Sequence, residues 1–369
     1  MQRQAILICL DGYSPSYLRA AGDNIRRLRR EGYYSEFGKA IVPTVTNVNN
    51  VSVVTGAYPL DHGITSNCFY DREKGEEVYM ESSQSITAPT IFEKLNAKGK
   101  RSVLLSAKDK LSNLLNKGPE TTFSAEKPPD WIKKIIGEPP EIYSIEVNSW
   151  LLKAASVVLD KLSPDFIYVS TTDYVGHKYG PDEGEAQRHT MLIDERIGEL
   201  AEKLGGNRLC ITADHGMSAK TKAVNLKSAL DVEDVSSWVI PTVKDKYVVP
   251  HSNLSGSAYV YLLGRNVSEN ISEILENVEG VEEVLTAEEA ALAFHLPKDR
   301  VGDYLVLGEE DTVFGEVSDE IVCEVKIRSH GSLHERTVPL IAHGDDLEVN
   351  KLVENKDLAN VVLNYLNNE

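Results

Sequence analysis

Short unbroken apolar runs alternate along this chain with longer stretches in which apolar side chains recur every three or four positions. The runs at 5–10 (AILICL), 101–107 (RSVLLSA), 166–170 (FIYVS) and 208–213 (RLCITA) are bounded by polar or turn residues and predict buried strands. Between them, 24–32, 48–56, 88–99, 149–162 and 185–205 carry helical periodicity, with Gly32, Gly56 and Gly99 as stop signals. Such β–α alternation predicts an α/β fold with a doubly wound, mostly parallel sheet. The proline-punctuated stretch 126–141 reads as a surface excursion.

The rhythm changes after about residue 240. The segments 257–263, 271–294 and 302–308 read as strand, helix, short strand, helix, strand. This predicts a smaller α+β cap at 236–322, inserted into a core formed by 1–235 and 323–369. A last helix over 349–368 closes the core. No internal repeat is present.

Chemistry concentrates where the strands end. Asp11 follows the first apolar run, Asp173 follows 166–170 and opens the spacing Asp173-x3-His177, and Asp214 follows 208–213 with His215 directly after it. Ligands of open α/β sheets bind outside the carboxyl ends of the strands. Aspartate with histidine is the mixed oxygen and nitrogen shell that zinc prefers. A salt-bridged or capping aspartate beside a solvated histidine explains each motif singly, but not three at one rim. A further histidine ligand is needed. His189, on a helix, and His295, in the inserted region, read as surface residues. His62, His251, His330, His334 and His343 remain open by position alone.

Charge narrows the partners. The 369 residues carry 39 Lys and Arg against 57 Asp and Glu, a formal net charge of −18. A uniformly negative surface repels nucleic acid and anionic membranes, so an anionic substrate needs local positive charge. No stretch of 18 apolar residues occurs, and the N-terminus lacks the long apolar region of a secretory signal. Cys9, Cys68, Cys210 and Cys323 are scattered without a CxxC. The expectation is a cytoplasmic protein with reduced thiols; a homodimer is left open.

The stretch 41–71 resembles the nucleophile region of the alkaline phosphatase superfamily, most closely its nucleotide pyrophosphatase/phosphodiesterase branch. The resemblance rests on Pro43, Thr44, Val45 and Thr46, on Asn49 and Asn50, on Thr55 to Pro59 and on His62, Gly63 and Ile64. It continues through Asp173 to His177 and Ala213 to Met217. It implies an alkaline-phosphatase-like fold, Thr46 as nucleophile, and Asn67 as a holder of phosphoryl oxygens. Coordination to a divalent ion would make the threonine hydroxyl reactive, and a helix starting after Thr46 would add donors; an N-cap role for Thr46 is compatible. Within the superfamily, 106–111 (SAKDKL) and 328–341 (RSHGSLHERTVPLI) look like segments of the phosphonoacetate hydrolases, with Ser332 where those show a second glycine. That likeness selects His330. It implies one metal on Asp173, His177 and His330 and another on Asp11, Thr46, Asp214 and His215, roughly 4 Å apart. Zinc is expected, with manganese or iron as alternatives.

Lys108 and Lys110 follow a strand and should emerge at the same rim, although a KDK triplet by itself reads as a solvated turn. Two divalent ions are about balanced by three aspartates and a threonine alkoxide. A phosphonate that also carries a carboxylate therefore needs further cations, and these lysines would meet it. The expected function is phosphonoacetate hydrolysis to acetate and phosphate through a phosphothreonine, with a phosphodiesterase or nucleotide pyrophosphatase of the same superfamily as the alternative.

Overall fold

The apolar runs become the middle of one sheet. Ala5–Cys9, Ser102–Ser106, Phe166–Ser170 and Arg208–Thr212 are strands in which every residue is buried. The computed structural model describes residues 2–246, 249, 252–264, 270–318, 320–347, 349 and 352–367. Its largest sheet has seven strands, in the order Tyr33–Lys39, Thr337–His343, Arg208–Thr212, Ala5–Cys9, Phe166–Ser170, Ser102–Ser106, Thr121–Ser124. The last five of these run parallel, and Thr337–His343 runs antiparallel to both its neighbours.

Successive side chains of a strand face opposite sides, so a strand buried on both faces reads as an unbroken apolar run. Ile6 and Ile8 join one core layer, under the helices Val147–Leu162 and Gly184–Leu204. Leu7 and Cys9 join the other, under Thr46–Thr55 and Leu358–Asn367. Helices on both faces of a mostly parallel sheet are the doubly wound arrangement.

Several boundaries differ from expectation. The stretch 126–141 is more than a surface excursion: Asp130–Ile136 is a helix whose Ile132 is fully buried in the first core layer. The helix expected over 88–99 spans only Ile91–Asn96, because Thr90 and Glu93 form a reciprocal cap that fixes its start. The final helix is Leu358–Asn367, preceded by a 3₁₀ turn at Asn355–Asp357; 350, 351 and 368 lie outside the described residues. Two strands of the sheet were not expected: Tyr33–Lys39, whose apolar positions are scattered, and Thr337–His343, an apolar run that carries Pro339 in its interior.

Within 236–322, Ser237–Pro241, Ser257–Leu262, Tyr304–Gly308 and Val281–Thr286 form an antiparallel sheet, accompanied by the helices Ile271–Glu276 and Ala287–Phe294. A three-stranded sheet of Thr312–Phe314, Ser218–Val224 and Val322–Ser329 adjoins it. Among the described residues no helix is long and apolar enough to cross a membrane.

Candidate active site

Strand register assembles the site. Cys9 pairs with both Ser170 and Thr212, and Ser170 pairs with Ser106, so four parallel strands end level. Asp11, Asp173, Asp214 and Lys108 each stand two or three residues past those ends. Gly12 adopts φ +73, and a Cβ there would sit 3.1 Å from the Asp173 Cβ, so glycine lets these strand ends approach. The Gly12 amide also donates to Asp214 Oδ1 at 3.1 Å.

His330 arrives from another direction. Val322–Ser329 pairs with Ser218–Val224, the strand that follows His215, and Ser329 lies opposite Ser218. The two imidazoles consequently stack, with centroids 3.6 Å apart and planes 8° from parallel. Gly331 turns the chain at φ +117, where any Cβ would meet Ser255 Oγ at 2.2 Å. Ser332, which stands in place of the expected glycine, is not among the residues of positive φ. Its hydroxyl donates to Glu335 Oε2 at 2.8 Å, which is why serine is accommodated.

All three site imidazoles are oriented alike. Nδ1 of His177 faces the Arg328 carbonyl at 2.8 Å, that of His215 the Gly216 carbonyl at 2.9 Å, and that of His330 the Thr44 carbonyl at 2.7 Å. An Nδ1–H donated to a carbonyl leaves Nε2 as the lone-pair atom, and metal-ligating histidines are held this way. A one-turn helix, Tyr174–Lys178, sets His177 Nε2 2.8 Å from Asp173 Oδ2. His215 Nε2 lies 3.5 Å from Asp11 Oδ1 and 3.7 Å from Asp214 Oδ2.

Two triplets of buried ligating atoms result: Asp11, Asp214 and His215, and Asp173, His215 and His330, each with its atoms within 4.8 Å of one another. His215, rather than His177, completes the second triplet at that spacing. Asp11 Oδ1 and Asp173 Oδ1 are buried without a hydrogen-bond partner. Three carboxylates and three imidazoles with these orphaned oxygens fit a pair of divalent cations.

Thr46 is the first residue of the helix Thr46–Thr55 and holds its Oγ1 3.2 Å from His215 Nε2. It is not the N-cap: Val45 takes that position and gives no side-chain cap, so backbone donors of the first turn remain for a ligand. Polar residues of the motif brace this start. Asn49 donates to the carbonyls of Ile41, Pro43 and Val45 and accepts from the Ile41 amide. Asn50 takes the Tyr168 hydroxyl and donates to Asp214 Oδ2 at 3.2 Å. Thr44 Oγ1 donates to the Ser332 carbonyl and accepts from the Gly331 amide, joining the Thr46 and His330 loops.

Asp11, Thr46, Asn67, Lys108, Lys110, Asp173 and His330 line one cleft of about 60 Å³, with Asp245 and Val243 completing its wall. Lys108 Nζ is 3.6 Å from Asp173 Oδ1, and Lys110 Nζ is ion-paired with Asp245. The KDK triplet is thus not a solvated turn: the two side chains are only 31% and 16% exposed. Asn67 spends one donor on the Val243 carbonyl at 3.0 Å. Asp245 carried no sequence signal, because it is one acid in a polar segment far from any strand-end motif.

Burial, reinforced by Asp173 and Asp214, pushes the Asp11 carboxyl well above the usual carboxylate range. Burial opposes ionisation of Asp173 too, but His177 and Lys108 outweigh it and hold that carboxyl well below the range. Burial, with repulsion from His215 and His177, pushes His330 well below the usual imidazole value, so its ring stays neutral. Burial also lowers Lys110, only partly offset by Asp245. Opposed shifts of this kind among touching buried groups are common at functional sites.

The remaining histidines stand elsewhere. His62 is buried against Ser52, His334 pairs with Glu282, His343 lies beside Glu31, and His295 is exposed. His189 departs from the surface expectation: it is buried, held by Tyr13 and Asn148, because it shares a helix face with Ile193 and Ile197. His251 lies outside the described residues.

Residues 5–332 match the family described as type I phosphodiesterase / nucleotide pyrophosphatase. The structure is similar to that of a phosphonoacetate hydrolase from Sinorhizobium meliloti 1021 in complex with phosphonoformate, with TM-score 0.88 and 33% identity over 99% of this chain and 96% of that one. The same enzyme in complex with phosphonoacetate gives a TM-score of 0.87. A venom phosphodiesterase of Macrovipera lebetinus is 31% identical over 233 residues, 58% of this chain and 26% of that protein. This chain thus spans about a quarter of the length of such relatives.

Proposed function

Because the chain belongs to the type I phosphodiesterase/nucleotide pyrophosphatase family and is a hydrolase of that fold, we propose that it hydrolyses phosphonoacetate to acetate and phosphate. The observation that carries this reading is the pair of lysines in the cleft that also holds Thr46, Lys108 beside Asp173 and Lys110 beside Asp245. A phosphoester without a second anionic group offers these ammoniums no carboxylate to meet.

We assign one divalent cation to Asp173, His177 and His330 and the other to Asp11, Thr46, Asp214 and His215. Zinc suits these donors best, with manganese or iron as alternatives. Bound there, the cations would lower the pKa of the Thr46 hydroxyl and neutralise charge on the transferred phosphoryl group.

Thr46 Oγ1 attacks phosphorus, with the backbone donors at the start of Thr46–Thr55 and the second Asn67 N–H on the phosphoryl oxygens. The P–O bond to Thr46 forms as the carbon–phosphorus bond breaks. Its electron pair passes to the methylene carbon and is delocalised into the carboxylate, where Lys108 and Lys110 meet the developing charge. The carbon takes a proton from water to give acetate, and the hydroxide left behind is neutralised by the proton that Thr46 gives up on attack. A second water then cleaves the phosphothreonine, releasing phosphate and restoring the hydroxyl. Residues 236–322, as a cap, would form the wall that carries Val243 and Asp245. The four unpaired cysteines support a reducing, cytoplasmic setting.

A phosphodiesterase reading is favoured by the likeness to venom phosphodiesterase and uses the same nucleophile on an ester. Phosphorus and carbon NMR of zinc-loaded protein with phosphonoacetate separates the two. Acetate and phosphate appearing in equal amounts support the proposal; an unchanged phosphonate signal, with a phosphodiester consumed, assigns the alternative.

A further inference from the structure

Asp245 lines the same cleft as Asp11 and Asp173 and belongs to no motif. Its carboxylate pairs with Lys110, and the two side chains are 9% and 16% exposed, so this is an interior ion pair at the cleft wall. The segment that carries it is firmly fixed. Lys244 pairs with Glu77 at 2.5 Å and Lys246 with Glu81 at 2.9 Å, fastening the residues on either side to the strand Glu76–Tyr79, which pairs with Cys68–Asp71, and to the chain two residues past its end. The Asp245 amide donates to Asn253 Oδ1 at 2.9 Å, and Asn253 Nδ2 donates back to the Asp245 carbonyl at 3.1 Å. The same segment accepts the Asn67 amide at Thr242 and the Asn67 side chain at Val243. The backbone of Asp245 is therefore part of the site's frame, and its carboxylate is held against Lys110 at the cleft wall.

This placement has an electrostatic consequence. Lys108 already faces Asp173, and Lys110 already holds an anion. An entering carboxylate must share or replace Asp245 at Lys110, and two carboxylates at one ammonium repel. Resting on the phosphonoacetate reading, we infer that Asp245 is a specificity-determining residue: it competes with the substrate carboxylate for Lys110, and so sets how strongly the cleft prefers phosphonates that carry a second anionic group. Asp245 lowers affinity for the carboxylate end without touching the phosphoryl end.

The test is calorimetric binding of phosphonoacetate and methylphosphonate to zinc-loaded Thr46→Ala protein, in which neither ligand turns over, with Asp245→Asn and Lys110→Met added singly and together. Asn is nearly isosteric with Asp and retains the polar contacts of the loop; circular dichroism and zinc content confirm that each variant is folded and loaded. With Asp245→Asn, the Kd for phosphonoacetate is expected to fall about tenfold or more, the scale of a contact with a charged group, while that for methylphosphonate stays within about twofold. Lys110→Met should abolish this gain, because no ammonium is left to compete for. An unchanged or raised Kd for phosphonoacetate in Asp245→Asn, or an equal gain in the Lys110→Met background, overturns the inference. Absence of phosphate release from phosphonoacetate by zinc-loaded protein with Thr46 intact refutes the phosphonoacetate reading itself, a result distinct from either.

Discussion

Replacing Lys108 by methionine isolates the contact on which substrate choice depends. Methionine keeps the apolar stem and removes the ammonium, which stands 3.6 Å from Asp173 Oδ1 at the cleft. A hydrogen bond to a charged group is worth about 1.5–3 kcal/mol, or about 10- to 150-fold in affinity. The side chain is 31% exposed, and solvent screening places the effect at the lower end, about 10- to 30-fold. The expected result is a KM for phosphonoacetate raised by that factor, with kcat/KM for a nitrophenyl phosphodiester changed less than about threefold. The assay is initial-rate phosphate release against nitrophenol release on the same zinc-loaded preparations. Lys108 also helps hold the Asp173 carboxyl ionised, so a lysine that serves only the metal side would depress both reactions alike. Equal losses on the two substrates therefore refute the carboxylate role.

Thr46→Ala removes the attacking oxygen and should lower kcat on the order of 10³-fold or more, with zinc content by elemental analysis retained; activity above about a tenth of the parent contradicts the nucleophile assignment. Lys220 and Glu335 form a fully buried ion pair at 2.9 Å, and Glu335 also holds Ser218 and Ser332. Lys220→Met leaves that carboxylate uncompensated and should destabilise the fold by about 3–5 kcal/mol in urea unfolding, whereas a change under about 1 kcal/mol would show the pair to be energetically idle. Burial holds His62 at about 3 and His189 at about 4. Unfolding frees both to bind protons near pH 6.5, so the unfolded state gains protons as pH falls; stability should be complete above that value and decline below it, by roughly 3 kcal/mol for each ring at pH 4. Stability of metal-free protein that is flat from pH 7 to pH 5 contradicts this, and His189→Asn should remove its share of the slope.

The parts of the site legible in the sequence are those set by strand ends. An unbroken apolar run followed by aspartate says that a carboxylate leaves a buried strand at the sheet rim, and Asp11, Asp173 and Asp214 follow from that alone. Lys108 follows from the same reasoning, and the register of Ser106 with Ser170 puts the end of its strand level with theirs. His330 was beyond position-based reasoning: it reaches the site through the pairing of Val322–Ser329 with Ser218–Val224, strands whose polar alternation is weak. Asp245 and the Thr44 bridge were invisible for a similar reason, since each acts through partners more than a hundred residues away. His189 was misjudged because a polar residue on an amphipathic helix reads as exposed unless its neighbours one turn on are weighed with it.

The most direct test of the central claim is the ratio of kcat/KM for phosphonoacetate to that for a nitrophenyl phosphodiester, measured side by side on one metal-loaded preparation across zinc, manganese and iron. The account predicts a ratio well above one with at least one of these metals, and loss of both activities on chelation. Brisk hydrolysis of the diester with no phosphate released from phosphonoacetate under any of the three metals would contradict it and make the protein a phosphodiesterase.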